Sequence, residues 1–209
     1  MKDQIPRTIM KDRIVHISPM EEVRILSRNT SNREQLLELS KKYCNDYDTC
    51  RYLLHNSYLT ENCKEVLARS KNVEVRRMLA AGGEKILSTQ TQLRLVLDSD
   101  KIVKENLART TTKEKIKEIL FKSNPEDKSN EKIRAYCLKR MRNMKMMERF
   151  ILTSSSEILD KYADNILSNR HLDCRVLHLF VTVKIDLTDN QKRLVKDHPS
   201  YDPVDINLP

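Results

Sequence analysis

The chain has 209 residues and a formal net charge of +9, from 39 Lys and Arg against 30 Asp and Glu. Only 2 Gly and 6 Pro occur, and no Pro lies between Met20 and Asn124. This scarcity excludes the glycine-rich loops of dinucleotide folds and P-loop enzymes, and favours helix over β-sandwich or α/β folds, because both residues break helices.

The first 17 residues read as a loosely ordered arm. Ser18-Pro19-Met20-Glu21 then has the form of a capping box with Pro at the first helical position. The same spacing recurs at Ser31 to Glu34, Thr111 to Glu114, Ser154 to Glu157 and Thr188 to Gln191. In each, the hydroxyl is placed to accept an orphan N–H three residues on while Glu or Gln reaches back. Between these marks the apolar spacing is helical: Leu36, Leu37 and Leu39; Cys63, Val66 and Leu67; Leu93, Leu95, Val96 and Leu97; Ile116, Ile119 and Leu120. These are the expected second helices of a series of pairs. The first helices are expected over about 49–57, 73–82, 100–109 and 130–142, with Ala81-Gly82-Gly83 as a helix end. After Phe121 the period loosens. A polar loop over 123–130 precedes a longer basic helix over about 130–153 and another over 156–169. An apolar segment from Leu172 to Leu187 is expected helical to about Val181, although its β-branched end also suits an extended chain. A short closing helix runs to Lys196. Residues 198–209 hold three prolines and read as an irregular tail. There Tyr201, Val204, Ile206 and Leu208 alternate with polar residues or prolines. That pattern suits docking on the chain's own helices or on another chain, and disorder is the commoner outcome.

One phrase recurs with drift. Val23-Arg24, Cys50-Arg51, Val75-Arg76, Val103-Lys104 and Ile133-Arg134 each set an apolar residue before a cation, at spacings of 25 to 30 residues. Such a period marks a helical solenoid, in which each unit buries its face against its neighbours. The phrases "VEVRRMLAAGG", "DKIVKENLART" and "DYDTCRYLLHNS" resemble the HEAT-like and leucine-rich-repeat-variant families of α-solenoids over about residues 20–140. The resemblance implies that Val75, Leu79, Val103 and Leu107 are packing positions. The first copy departs from it with Ser27 where Leu is expected, and the second with Cys50 for Val. DNA glycosylases built on related repeats line a nucleobase cleft with aromatic side chains. This chain has no Trp and 5% aromatics, so that platform is missing.

The cations Arg24, Arg51, Arg76 (with Arg77 beside it), Lys104 and Arg134 would align into a stripe across stacked units, spaced by about 10 Å. The stripe could track phosphates or a carboxylate-rich partner. It could equally pair with acids of adjacent units, and Asp48, Asp100 and Glu131 stand nearby. A second candidate is the segment 139–149, whose cations are Lys139, Arg140, Arg142, Lys145 and Arg149, against the single acid Glu148. On one helix Arg142, Lys145 and Arg149 share a face, over a core filled by methionines. His171, Cys174 and His178 also share a helical face, but no fourth zinc ligand is evident, so core or partner-facing roles are expected. No nucleophile, oxyanion loop or carboxylate pair stands out, and neither enzyme activity nor a cofactor is expected.

Five cysteines without a CxxC pair read as reduced thiols. With no signal-like or bilayer-length apolar run, the expected setting is cytoplasmic, without membrane contact. The expectation is therefore an all-α, right-handed α-solenoid of about five short helix pairs over 18–197, with an irregular C-terminal cap. Its expected work is non-catalytic binding of an acidic protein partner, as adaptor, inhibitor or assembly factor. Nucleic-acid binding through the cation stripe and the 139–149 segment is the alternative.

Overall fold

The computed structural model describes residues 17–82, 87–124, 126, 128–184, 186–204, 206 and 208. Among them are thirteen helices and no strand. The first eight are α1 (Pro19–Asn29), α2 (Arg33–Tyr43), α3 (Tyr47–Leu54), α4 (Glu61–Leu67), α5 (Val73–Gly82), α6 (Thr89–Val96), α7 (Lys101–Thr110) and α8 (Glu114–Ser123). The remaining five are α9 (Glu131–Arg140), α10 (Met144–Thr153), α11 (Ser156–Leu167), α12 (Cys174–Val183) and α13 (Asp189–Lys196).

Helices this short are marginal alone and persist by packing. The odd-numbered helices form one row in which α1 touches α3, α3 touches α5, and so on to α13. The even-numbered helices form a second row, α2 against α4, α4 against α6, α6 against α8, and α10 against α12. A single core cluster extends from Leu36 to Ile206. The repeated phrase supplies much of it: Cys50, Val75, Val103 and Ile133 are fully buried, as are Leu53, Leu79, Leu107 and Cys137 one turn on. In the α3 copy the buried leucine is Leu53, with Leu54 half-buried beside it. Ser27 fills the corresponding place in α1, and its hydroxyl is satisfied by the Val23 carbonyl at 2.8 Å.

Helix starts depart from the expected boxes in an instructive way. The full reciprocal box forms at Thr188 and Gln191, and Ser18 accepts the Glu21 N–H at 3.2 Å. Elsewhere the cap lies one or two residues on. Asn32, rather than Ser31, accepts from Glu34 and Gln35. Ser155, rather than Ser154, accepts from Ile158. Lys113 precedes α8, while Thr111 closes α7 and gives its hydroxyl to Gln92 Oε1 at 2.7 Å. Asp46, Asp100 and Asp173 accept the N–H three residues on in α3, α7 and α12. A carboxylate or amide oxygen at the start of a helix competes with a neighbouring hydroxyl and adds a favourable charge or dipole.

The single basic helix expected over 130–153 is two helices, α9 and α10. Met141 is extended at φ −68°, ψ 133°, and Asn143 accepts the Met146 N–H at 3.1 Å to start α10. Of the two stretches of the chain whose order was open, Cys174–Val183 is helical. The tail is irregular and packed: Ile206 is 1% exposed, and Tyr201 and Leu208 lie against the core. Gly83, Ile185 and all of the expected N-terminal arm but Ile17 lie outside the described residues.

Candidate anion-binding surfaces

The cation stripe is tied into the array. Arg24 in α1 pairs with Asp48 in α3 at 3.0 Å. In α5, Arg76 grips Asp98 at 2.6 Å and donates to the Ser70 carbonyl, while Arg77 bonds Asp100 at 2.7 Å and Glu74 at 2.6 Å. The hydrogen bond from Arg77, helped by the Val103 N–H against the cost of burial, holds the Asp100 carboxyl below the usual carboxylate range. Arg134 is 8% exposed, pairs with Glu126 at 2.6 Å, donates to the Asn124 carbonyl, and lies 4.2 Å from the Phe121 ring centroid. Glu131 pairs with Lys161 of α11 at 3.3 Å. Thus Asp48 and Asp100 bind arginines of the preceding layer, and the charges of Arg24, Arg76 and Arg77 are spent on holding layers together. Arg51 stands apart, exposed over the Tyr52 ring in a hollow shared with Arg28 and His55. Lys104 is half-buried on α7.

One edge is more positive than the other. Each helix, of 7 to 12 residues, spans about 10–18 Å, so links from odd to even helices lie at one edge and links from even to odd at the other. The even-to-odd edge mixes both signs, with Asp46, Asp98, Asp100 and Glu126 against Arg69, Lys71, Lys128 and Lys184. On the odd-to-even edge, the three windows 109–115, 139–145 and 168–175 carry formal charges of +2, +4 and +1, together +7 of the chain's +9. Lys139, Arg142, Lys145 and Arg149 of the basic segment are exposed here or on α10, and Arg140 is half-exposed. Because the helix breaks at Met141, Arg142 does not share a helical face with Lys145 and Arg149. It sits in the link, where its Nε donates to His171 Nε2 at 3.3 Å.

That edge hides its acid. Glu114 Oε1 accepts the N–H groups of Arg142 at 2.7 Å and Asn143 at 2.9 Å, and Oε2 pairs with Lys117 at 2.7 Å. Burial works to raise the Glu114 pKa, but the Lys117 contact and the two N–H donors outweigh it and hold the carboxyl low. Lys117, 1% exposed, also donates to the Arg140 carbonyl. Burial first, then the charges of Arg142 and Lys117, lower the His171 pKa and favour its neutral ring.

A different surface lies between α4 and α6. An open groove of about 930 Å³ is lined by Ala68, Leu93 and Leu97 among others, with Arg69 and Arg94 at its rim and Asp98 already held by Arg76. Leu97 is 81% exposed, the most exposed large apolar side chain between Ile17 and Val183 in the described residues.

His171 and His178 are exposed and Cys174 half-buried, and no three metal-capable side chains gather among the described residues. The five cysteines are free thiols, and burial pushes Cys50 and Cys137 up to about 12. No described helix is long and apolar enough to cross a membrane.

Sequence reasoning missed Arg69, Arg94 and Leu97, because Leu97 continues an apolar run that reads as core. It also missed Arg109, Lys115, Arg170 and Arg175, which counting charge link by link rather than along the repeated phrase would have found. No protein-family model matches this chain, no curated protein is significantly similar to it, and no solved structure matches its fold.

Proposed function

We propose that this chain is a non-catalytic binding protein, a right-handed solenoid of about five helix pairs, α1 to α10, closed by α11–α13 and the tail. The two rows of helices support the solenoid reading, and the resemblance to HEAT-like arrays supplies its hand. Its partner is an acidic protein, engaged in a cytoplasmic setting, for which the free thiols are the argument.

The observation that carries this reading is Leu97, 81% exposed in the α4–α6 groove with Arg69 and Arg94 at the rim. An apolar side chain left open beside cations in a concavity suits a peptide that offers an apolar anchor and carboxylates. Labelled peptides mixing Asp or Glu with Leu or Phe test it. They are expected to bind, and to bind at least about tenfold more weakly to Leu97→Asp and to Arg69→Glu with Arg94→Glu, with melting temperature unchanged. Equal affinity for wild type and both variants would remove the groove from the interface.

A further inference from the structure

We propose a second, separate site on the odd-to-even edge: a ridge that binds the phosphate backbone of a nucleic-acid strand without reading its bases. Three consecutive links build it. The first offers Arg109 and Lys115, the second Lys139, Arg142 and Lys145, and the third Arg170, with Arg175 beside it paired to Glu148.

The links are joined to one another rather than merely near. The Arg140 guanidinium bonds the Arg109 carbonyl, Glu114 holds the Arg142 and Asn143 N–H groups, and Arg142 reaches His171. Asn169 completes the seam by donating to the carbonyls of Leu138 at 2.9 Å and Met141 at 2.8 Å. The cations are therefore mounted on a fixed ridge, one group per layer. With layers about 10 Å apart, three layers run about 20 Å, the length of about six phosphates at the duplex rise of about 3.4 Å per strand.

Two features favour phosphate over a protein surface. Acids are engaged: half-buried Glu114 pairs with Lys117, Glu148 is held by Arg175 at 3.2 Å, and exposed Asp173 caps α12. Apolar anchors are missing as well. The large apolar side chains that stand exposed among the described residues, such as Ile102, Leu152 and Val183, all fall outside the three windows. A protein interface of ordinary size centres on aromatic or aliphatic anchors and is depleted in Lys, whereas phosphate contacts come from Arg and Lys.

The experiment is fluorescence anisotropy with labelled oligonucleotides of about 20 nucleotides: single-stranded DNA, single-stranded RNA and duplex DNA, from about 50 to 200 mM salt. Binding is expected at the low end, weakening as a straight line on log–log axes with a slope of about −4 to −5 if about six phosphates are met. The two single-stranded arms show whether the 2′-hydroxyl matters, and the duplex arm shows whether a paired backbone is preferred. Arg142→Glu with Lys145→Glu should weaken binding by more than about tenfold, and so, independently, should Lys139→Glu with Arg170→Glu. The groove variant Arg69→Glu with Arg94→Glu should bind oligonucleotides as wild type does, which keeps this site's fate distinct from that of the peptide groove. Absence of binding at the lowest salt would overturn the proposal. So would wild-type affinity in both ridge variants with native circular dichroism, or polyglutamate competing as well as an oligonucleotide of equal charge.

Discussion

Asn169 donates its side-chain N–H to the carbonyl of Met141 across 2.8 Å, closing the C-terminus of a helix one layer away. Its second N–H takes the Leu138 carbonyl, and its oxygen accepts the His171 N–H at 3.1 Å. Asn56 does the same work at the other end of the array. It donates to the carbonyls of Ser27 and Thr30 and accepts the Tyr58 N–H. Both side chains are buried, so each replaces water that the last turns of α1 and α9 would otherwise need.

Replacing either asparagine by alanine strands two carbonyls and one N–H. Asn169→Ala and Asn56→Ala should each lower the unfolding free energy by about 2–4 kcal/mol, read by urea titration. Asn32→Ala, which removes only an exposed cap, should cost about 1 kcal/mol. Equal losses in all three would mean that these inter-layer bonds add nothing beyond local capping.

Arg134 shows how the expected stripe became structure. Its guanidinium is buried between Glu126, the Asn124 carbonyl and the rings of Phe121 and Phe150. Arg134→Ala should cost about 2–4 kcal/mol, because it opens a void beside two rings and leaves Glu126 held only by Lys161 at 3.1 Å and the Tyr162 hydroxyl at 2.9 Å. Arg134→Met with Glu126→Gln removes both charges and keeps the volume, and should recover at least half of that loss. Recovery below a quarter would mean that the ion pair itself, rather than the cost of breaking it one-sidedly, stabilises this layer.

The buried faces were legible in the residues themselves. A 3.6-residue period with Val75, Leu79, Val103 and Leu107 on one side leaves little freedom about which side turns inward. The partners of the stripe were not. Arg77 faces Asp100 across 23 positions, a distance fixed by how layers stack and not by any local pattern. The break between α9 and α10 escaped for a different reason. Arg142-Asn143-Met144 carries no Pro or Gly, and the Asn143 cap is backed by Glu114 of α8, which comes from the preceding layer to accept the Asn143 N–H. The basic ridge was visible in fragments, as cations of 139–149, but its other two links become neighbours only once the rows are stacked.

Acid should loosen the array through carboxyls whose folded pKa lies below the ordinary value. Glu114, Asp100, Asp46 and Glu61 all shift this way. The unfolded chain then binds more protons than the folded one, so the stabilisation is complete above the ordinary carboxylate range of about 4 and is lost as the pH falls through the depressed values. His171, whose folded pKa is also lowered, adds a small fall below the ordinary histidine value of about 6.5, and the urea midpoint should drop most steeply below about pH 5. Glu114→Gln keeps an acceptor for the Arg142 and Asn143 N–H groups but removes the counter-charge of buried Lys117. It should cost about 2–3 kcal/mol at neutral pH and flatten the decline at low pH. An unchanged acid limb in this variant would show that other carboxyls carry the pH dependence.

The tail packs on the link between α11 and α12. His198, 6% exposed, sets Nε2 at 2.9 Å from the Asn169 carbonyl and accepts the Ser200 N–H at Nδ1, which together fit a neutral ring with its proton on Nε2. Ser200 gives its hydroxyl to the Leu172 carbonyl at 2.6 Å, and Ile206 is buried against the core. The tail thus braces Asn169, which in turn caps α9. Burial of one isoleucine is worth about 1.5–3 kcal/mol and each satisfied carbonyl about 1 kcal/mol more, so ending the chain at Asp197 should cost about 3–5 kcal/mol. In an array of nearest-neighbour contacts that loss stays local. Hydrogen exchange should therefore accelerate in α11–α13 and in the last turn of α9, while α1–α5 keep their protection. The milder Ile206→Ser should show the same pattern at smaller amplitude. Exchange that rises evenly along all thirteen helices would mean that the array unfolds as one cooperative block, and that the tail stabilises the whole molecule rather than its end.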